Sequence, residues 1–282
     1  MLVHFKKRMK MQKIISSSLL ASFLLAGSAL AHDLWIGPAK GAKAGEKLHV
    51  HFGYGDEFPK TEAIPEDRRV LFDQIPLKIT GASGDVAVQT KAGGDNADFE
   101  SSAPLKDGTY ILSGVYNPSY WSKDKDNKWH MLKNKKDLGE NAASCQQASM
   151  FSKHVLSTGK LDMSLAQKPV GHALEIIPLA DVNEVKGSGF LPVQILFEGK
   201  PLAHAKIQAT FAGFGDKIEV YAHDFPRPQS FVNEADKDGK VNIYTYPGAN
   251  YYLALVKHEK PFDDKSICDK HTYKASLSFK TK

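Results

Sequence analysis

Leu48-His49-Val50-His51-Phe52 alternates apolar and imidazole side chains with a period of two, and Gly53-Tyr54-Gly55-Asp56 ends the run. That period is the signature of a β-strand, in which successive side chains point to opposite faces. Leu48, Val50 and Phe52 therefore share one face, and His49 and His51 share the other. The reading decides the fold class, because short runs of this kind, broken by turn residues, recur along most of the chain.

Downstream, Phe58 to Arg69 is polar with two prolines and reads as an irregular loop. Strand-like runs return at Pro76 to Thr80, Val86 to Thr90 and Thr109 to Tyr116, between turn clusters such as Gly81-Ala82-Ser83-Gly84. Tyr120-Trp121 and Trp129-His130-Met131 flank a polar run and predict a hairpin with a solvated tip. Ala142, Ala143, Ala148, Met150, Phe151, Val155 and Leu156 fit the face of one helix near 140–158, stopped by Gly159. After the linker-like Ala166-Gln167-Lys168-Pro169, seven further strands are expected between Leu174 and Phe279, the spacing of an immunoglobulin-like or transthyretin-like sandwich. The expected architecture is mainly β. A signal peptide covers 1–31, a β-rich domain with the helix covers 32–168, and a second sandwich covers 169–282.

The first 31 residues carry the three parts of an export signal: Lys6, Lys7, Arg8, Lys10 and Lys13, then an apolar run from Ile14 to Gly27, then Ala29-Leu30-Ala31. The apolar run is too short and too serine-rich for a membrane span, and no second one follows. Cleavage after Ala31 starts the mature chain at His32, in the periplasm; cleavage after Ala29 places His32 third. The formal charge of +5 comes from the signal, since removing its five cations leaves 32 of the 37 Lys and Arg against 32 acidic residues. A basic surface for nucleic acid is thereby excluded. The two cysteines, Cys145 and Cys268, predict a disulfide suited to an oxidising compartment.

His32, once terminal, offers an α-amine and an imidazole on one residue, two neutral nitrogens that suit Ni, Co or Cu. His49 and His51, on one strand face, are the next ligand candidates, with Asp56 and Glu57 just beyond as oxygen donors. His172 and His223 complete the set, with Asp224 placed to orient His223. Asp236-Lys237-Asp238-Gly239 opens like a calcium loop but lacks the downstream glutamate, since Pro247 stands there, so an Asp-Gly hairpin turn is expected. No G-x-S-x-G, H-E-x-x-H or phosphate loop is present.

The mature start His32-Asp33-Leu34-Trp35, the segment Gly171-His172-Ala173-Leu174-Glu175-Ile176-Ile177-Pro178, and Phe197-Glu198-Gly199-Lys200-Pro201-Leu202 resemble a family of exported bacterial proteins. That family carries a domain of unknown function and is often labelled a periplasmic component of cobalt/nickel transport. The resemblance implies a periplasmic protein that handles a transition metal and places His32 and His172 in the family pattern. A partner inner-membrane metal transporter would then be reached by contact, since no membrane span is expected after the signal. Two other readings are open. One is a cell-envelope interaction or carbohydrate-binding module using Tyr120, Trp121 and Trp129. The other is a copper oxidase or oxygenase built on the His terminus.

Overall fold

A computed structural model describes residues 32–38, 42–55, 57–63, 77–90, 98–214 and 229–282. The strands in chain order are β1 (Asp33–Pro38), β2 (Lys47–Gly55), β3 (Leu77–Gly81), β4 (Gly84–Val86), β5 (Val88–Thr90), β6 (Asp98–Pro104), β7 (Thr109–Asp124), β8 (Trp129–Met131) and β9 (Ala142–Ser157). The second half supplies β10 (Leu174–Pro178), β11 (Phe190–Phe197), β12 (Lys200–Pro201), β13 (Lys206–Phe211), β14 (Phe231–Glu234), β15 (Lys240–Tyr244), β16 (Tyr251–Pro261) and β17 (Lys270–Lys280). Among the described residues, α-helix is confined to two single turns, α1 (Lys135–Leu138) and α2 (Met163–Ala166).

These strands form three sheets. A small one runs β1-β2-β6-β5, a second holds β10, β11, β12 and β15, and a long one runs β14-β13-β16-β17-β9-β7-β3-β4 with β8 on β7. Two cores lie on opposite faces of the long sheet. On one, Leu34, Ile36, Leu48, Val50 and Phe52 of the first small sheet meet Ile79, Leu112, Tyr116 and Met150. On the other, Ile176, Leu191, Val193 and Ile195 of the second small sheet meet Phe151, Ile207, Tyr252, Ala254 and Leu277. The fold is thus two β-sandwiches that use one sheet in common.

That arrangement corrects the expected helix near 140–158, which is the 16-residue strand β9. It pairs antiparallel with β7 and parallel with β17, from Lys270↔Gln146 to Ser278↔His154. Met150 enters one core and its neighbour Phe151 the other, so every residue from Ala148 to Leu156 is buried. A strand covered on both faces loses its alternation, and an unbroken apolar run is not distinguishable from a helix by period alone.

The turn at Asp236–Gly239 forms but makes no hairpin, because β14 lies in the long sheet and β15 in the facing one. Asp236 Oδ1 accepts from the backbone N–H groups of Asp238 and Lys240 at 2.8 Å each. These bonds, led by that from Lys240, hold its carboxyl below the usual range and engage the oxygen a calcium loop would need. The β7–β8 hairpin is present, pairing Trp121 with Met131 and Lys123 with Trp129. The Cys145–Cys268 disulfide is also present, with both residues buried. Rather than tying a helix to a loop, it joins the start of β9 to the residues leading into β17, just ahead of their parallel pairing.

Candidate metal centre

β1 is an edge strand of its sheet, yet its free edge is covered. Lys274 of β17 donates to the His32 carbonyl at 3.2 Å and to Asp33 Oδ1 at 3.0 Å. Ser278 Oγ donates to the Ile36 carbonyl and, its proton thus committed, accepts from His154 Nδ1 at 2.9 Å. Burial pushes His154 down to about 4, so the ring is neutral and can serve in this way. Side chains of the long sheet therefore fill the hydrogen-bonding edge that an unprotected strand would leave open.

This anchoring fixes His32 at the head of β1. Its ring stacks on Tyr54, with centroids 4.6 Å apart and planes inclined by 25°. Tyr54 is in place because Leu34 stands opposite it across the β1–β2 register. The chain beyond β2 turns back through Glu62, whose N–H donates to the Tyr54 carbonyl at 2.7 Å. The Glu62 carboxylate then lies 2.9 Å from His32 Nε2. A carboxylate only accepts, so the shared proton is carried on Nε2, and the lone pair of the neutral imidazole is on Nδ1, the nitrogen nearer the main chain. Carboxylates orient metal-binding histidines in this manner.

Gly53 is required nearby. A Cβ there would fall 1.9 Å from the Trp35 ring, which is 2% exposed.

The other histidines stand elsewhere. His51 is opposite Gly37, five positions along β1 from His32, which at ~3.3 Å per residue is about 17 Å away. His49 and His51 face β6, where Glu100 and Asp98 are their register partners. His51 Nδ1 lies 3.0 Å from Asp98 Oδ1, and His49 Nδ1 lies 3.4 Å from Glu100 Oε2. His172 lies against the second core, its ring 5.2 Å from that of Phe151. Burial first, with the Lys153 ammonium assisting and Glu175 opposing, pushes it down to about 4. Beside it Lys153 and Glu175 form a buried ion pair at 2.9 Å. Glu57 pairs with Lys60 at 3.2 Å. The expected signal segment, Asp56, His223 and Asp224 lie outside the described residues.

Among the described residues no three His, Cys, Asp or Glu side chains are gathered as a ready ligand set. No described helix is long and apolar enough to cross a membrane. Of the aromatics considered for a binding surface, Trp121 is 5% exposed in the first core, its Nε1 donating to Ser119 Oγ at 2.9 Å. Sequence reasoning did not single out Glu62, Lys274, Asp98 or Glu100. The signal for the last two was available, since Asp98-Phe99-Glu100 repeats the polar-apolar-polar order of His49-Val50-His51 with opposite charge. Glu62 and Lys274 reach His32 only through tertiary folding.

Fold and centre together define a double β-sandwich protein with a carboxylate-oriented histidine at the head of its first strand. The chain belongs to the family described as Domain of unknown function (DUF4198), which matches residues 29–260. No curated protein matches it. Among solved structures, the chain is similar to Escherichia coli alpha-2-macroglobulin in its native conformation, at 10% identity and a TM-score of 0.21, covering 89% of this chain and 14% of that one. Salmonella alpha-2-macroglobulin gives 10% identity and 0.20, covering 88% and 14%. The chain thus spans about a seventh of the length of these proteins.

Proposed function

We propose that this protein is an exported, periplasmic transition-metal-binding protein that holds Ni, Co or Cu at His32 and serves metal uptake or handling, with an inner-membrane metal transporter as partner. The single observation that carries the reading is the Glu62 carboxylate on His32 Nε2 at 2.9 Å. It favours the tautomer whose Nδ1 lone pair can join the α-amine of a chain beginning at His32 in one chelate, a donor pair matched to borderline metals. Lys274 and the edge of β1 keep the residue in place, and Tyr54 shields one ring face.

Isothermal titration of Ni2+, Co2+ and Cu2+ into the chain starting at His32, and into the same chain with one residue added before it, tests the reading. The extension is expected to weaken the preferred metal at least tenfold. Equal affinities would remove the terminal amine from the site. Glu62→Gln, which keeps shape but loses charge, is expected to weaken binding by about 10–100-fold.

A further inference from the structure

On the face of the long sheet that carries the second core, four strands run on past the small sheet that covers it. β11 ends at Phe197, opposite Leu174 at the start of β10. Past that end, the register sets Lys260, His271, Gln147 and Tyr120 side by side across β16, β17, β9 and β7. His258 and Tyr273 form an inner rung, about 7 Å nearer the core. Tyr273 packs against the second core and His271 stands two residues before it on β17, so both rungs face the same way. The outer rung is ~14 Å long, three inter-strand spacings.

Half-buried rings border this shelf. Phe197 meets the inner rung, its ring centre 4.4 Å from that of His258 and 5.1 Å from that of Tyr273. Phe262, just after β16, leans over the outer rung, stacked on His271 at 4.3 Å and 6.2 Å from Tyr120. His271 and Tyr273 lie 5.9 Å apart with planes inclined by 28°. Burial first, with the Lys260 ammonium assisting and nearby carboxylates opposing, pushes both His258 and His271 down, so both rings are neutral near pH 7. Burial also pushes the Tyr273 hydroxyl up. Among the described residues these three side chains find no hydrogen-bond partner. At the rim, Lys260 pairs with Glu198 at 3.1 Å, its ammonium over the Phe197 ring, and Asp263 adds a carboxylate near His271.

We propose that this shelf binds a neutral saccharide, whose ring faces pack against Phe262 and Tyr273 and whose hydroxyls bond to His258, His271 and Gln147. A ring cluster that only sealed the end of the sandwich would be apolar, as Ala275, Leu277 and Phe279 are further along β17. Here the rings come with groups that each donate and accept, namely neutral imidazole, phenol and amide. A sugar matches that chemistry on both counts, since its hydroxyls also donate and accept while its C–H faces are apolar. The paired Lys260 leaves little for an anion. The outer rung has the length of an extended trisaccharide. Tyr120, one of the aromatics that the sequence offers for such a ligand, belongs to this shelf, whereas Trp121 lies in the first core on the opposite face. His32 is also across the sheet, held there by Lys274, the residue after Tyr273, so metal binding at His32 is independent of this surface.

Isothermal titration of the protein with cellohexaose, maltohexaose and N-acetylchitohexaose, each to about 10 mM, tests the proposal. At least one is expected to give a saturable isotherm that is unchanged between about 0.05 and 0.5 M salt, as suits an uncharged ligand. Phe262→Ala and Tyr273→Ala are each expected to weaken that binding about tenfold, and His271→Ala about fivefold. Tyr273→Phe keeps the ring and is expected to lose less than Tyr273→Ala. Phe262 lies outside the strands, so its removal leaves the sheet register intact, and far-ultraviolet circular dichroism checks the fold of every variant. No saturable binding of any of the three sugars, binding that survives both Phe262→Ala and His271→Ala, or binding lost at high salt overturns the proposal.

Discussion

Lys153 and Glu175 offer the sharpest test of how the second core is built. Their side chains are 1% and 3% exposed and 2.9 Å apart, with Lys153 Nζ also donating to the Lys168 carbonyl and Glu175 accepting from the Val170 N–H. The pair joins β9 to β10, and both charges are buried, so neither is screened by water if the other is lost. Removing one partner of such a pair is expected to cost about 3–5 kcal/mol, because it strands a charge in the interior, whereas replacing both with apolar residues is neutral or stabilising by ~1–4 kcal/mol. The predicted order of stability is therefore wild type close to or below K153M/E175L, with K153M and E175L each far beneath. The pH dependence distinguishes the singles. Burial already holds the Lys153 ammonium below its usual range, so in E175L the folded state sheds that proton before the unfolded one does, and the deficit shrinks as pH rises toward the unfolded lysine's ~10.4. Urea unfolding followed by near-ultraviolet circular dichroism measures all three variants. A K153M unfolding free energy within about 1 kcal/mol of wild type, at unchanged slope, would refute the claim that the pair is sealed from solvent.

Other consequences can be measured in the same way. His154 and His172 are both pushed to about 4, so between that value and 6.5 the unfolded chain binds more protons, and stability falls as pH drops through this window. His154→Gln and His172→Gln should each flatten that slope by up to ~1.4 kcal/mol per pH unit. Loss of the Cys145–Cys268 bridge, whose loop spans 123 residues, should lower unfolding free energy by about 4–5 kcal/mol in the loop-entropy account, read from denaturation of C145S/C268S. Gly53→Ala forces a methyl group against Trp35 and is expected to cost about 1–3 kcal/mol with a red shift of tryptophan emission; an unshifted spectrum would mean that the ring does not press on this strand.

Much of the fold is legible locally. Where one face of a strand is buried and the other wet, as at Leu48–Phe52 or Lys240–Tyr244, the alternation marks the strand and its inward side chains. Legibility fails at β9, whose neighbours cover it on both faces. It also fails at β1, whose six residues directly follow the expected signal and give too short a run to show a period. The candidate centre divides along the same line. His32 and the His49-Val50-His51 pattern are visible as residue types in order, but the groups that give them chemical meaning come from 30 to more than 200 residues away. Glu62 reaches His32 through a returning loop, Lys274 through the long sheet, and Asp98 and Glu100 through strand register. A single sequence nominates the donors and leaves their partners to the topology.

The parallel pairing of β9 with β17 carries a consequence for the order of events as the chain folds. β17 inserts between β9 and β16, covers the edge of β1 through Lys274 and Ser278, and contributes Ala275, Leu277 and Phe279 to the second core. Until residues 270–280 are available to pair, the long sheet is split at its centre, so neither sandwich can complete its burial and the chain waits in a partly open state whose strand edges are exposed. Shortening the chain by that one strand is therefore expected to release β1, and His32 with it, rather than merely trim a terminus.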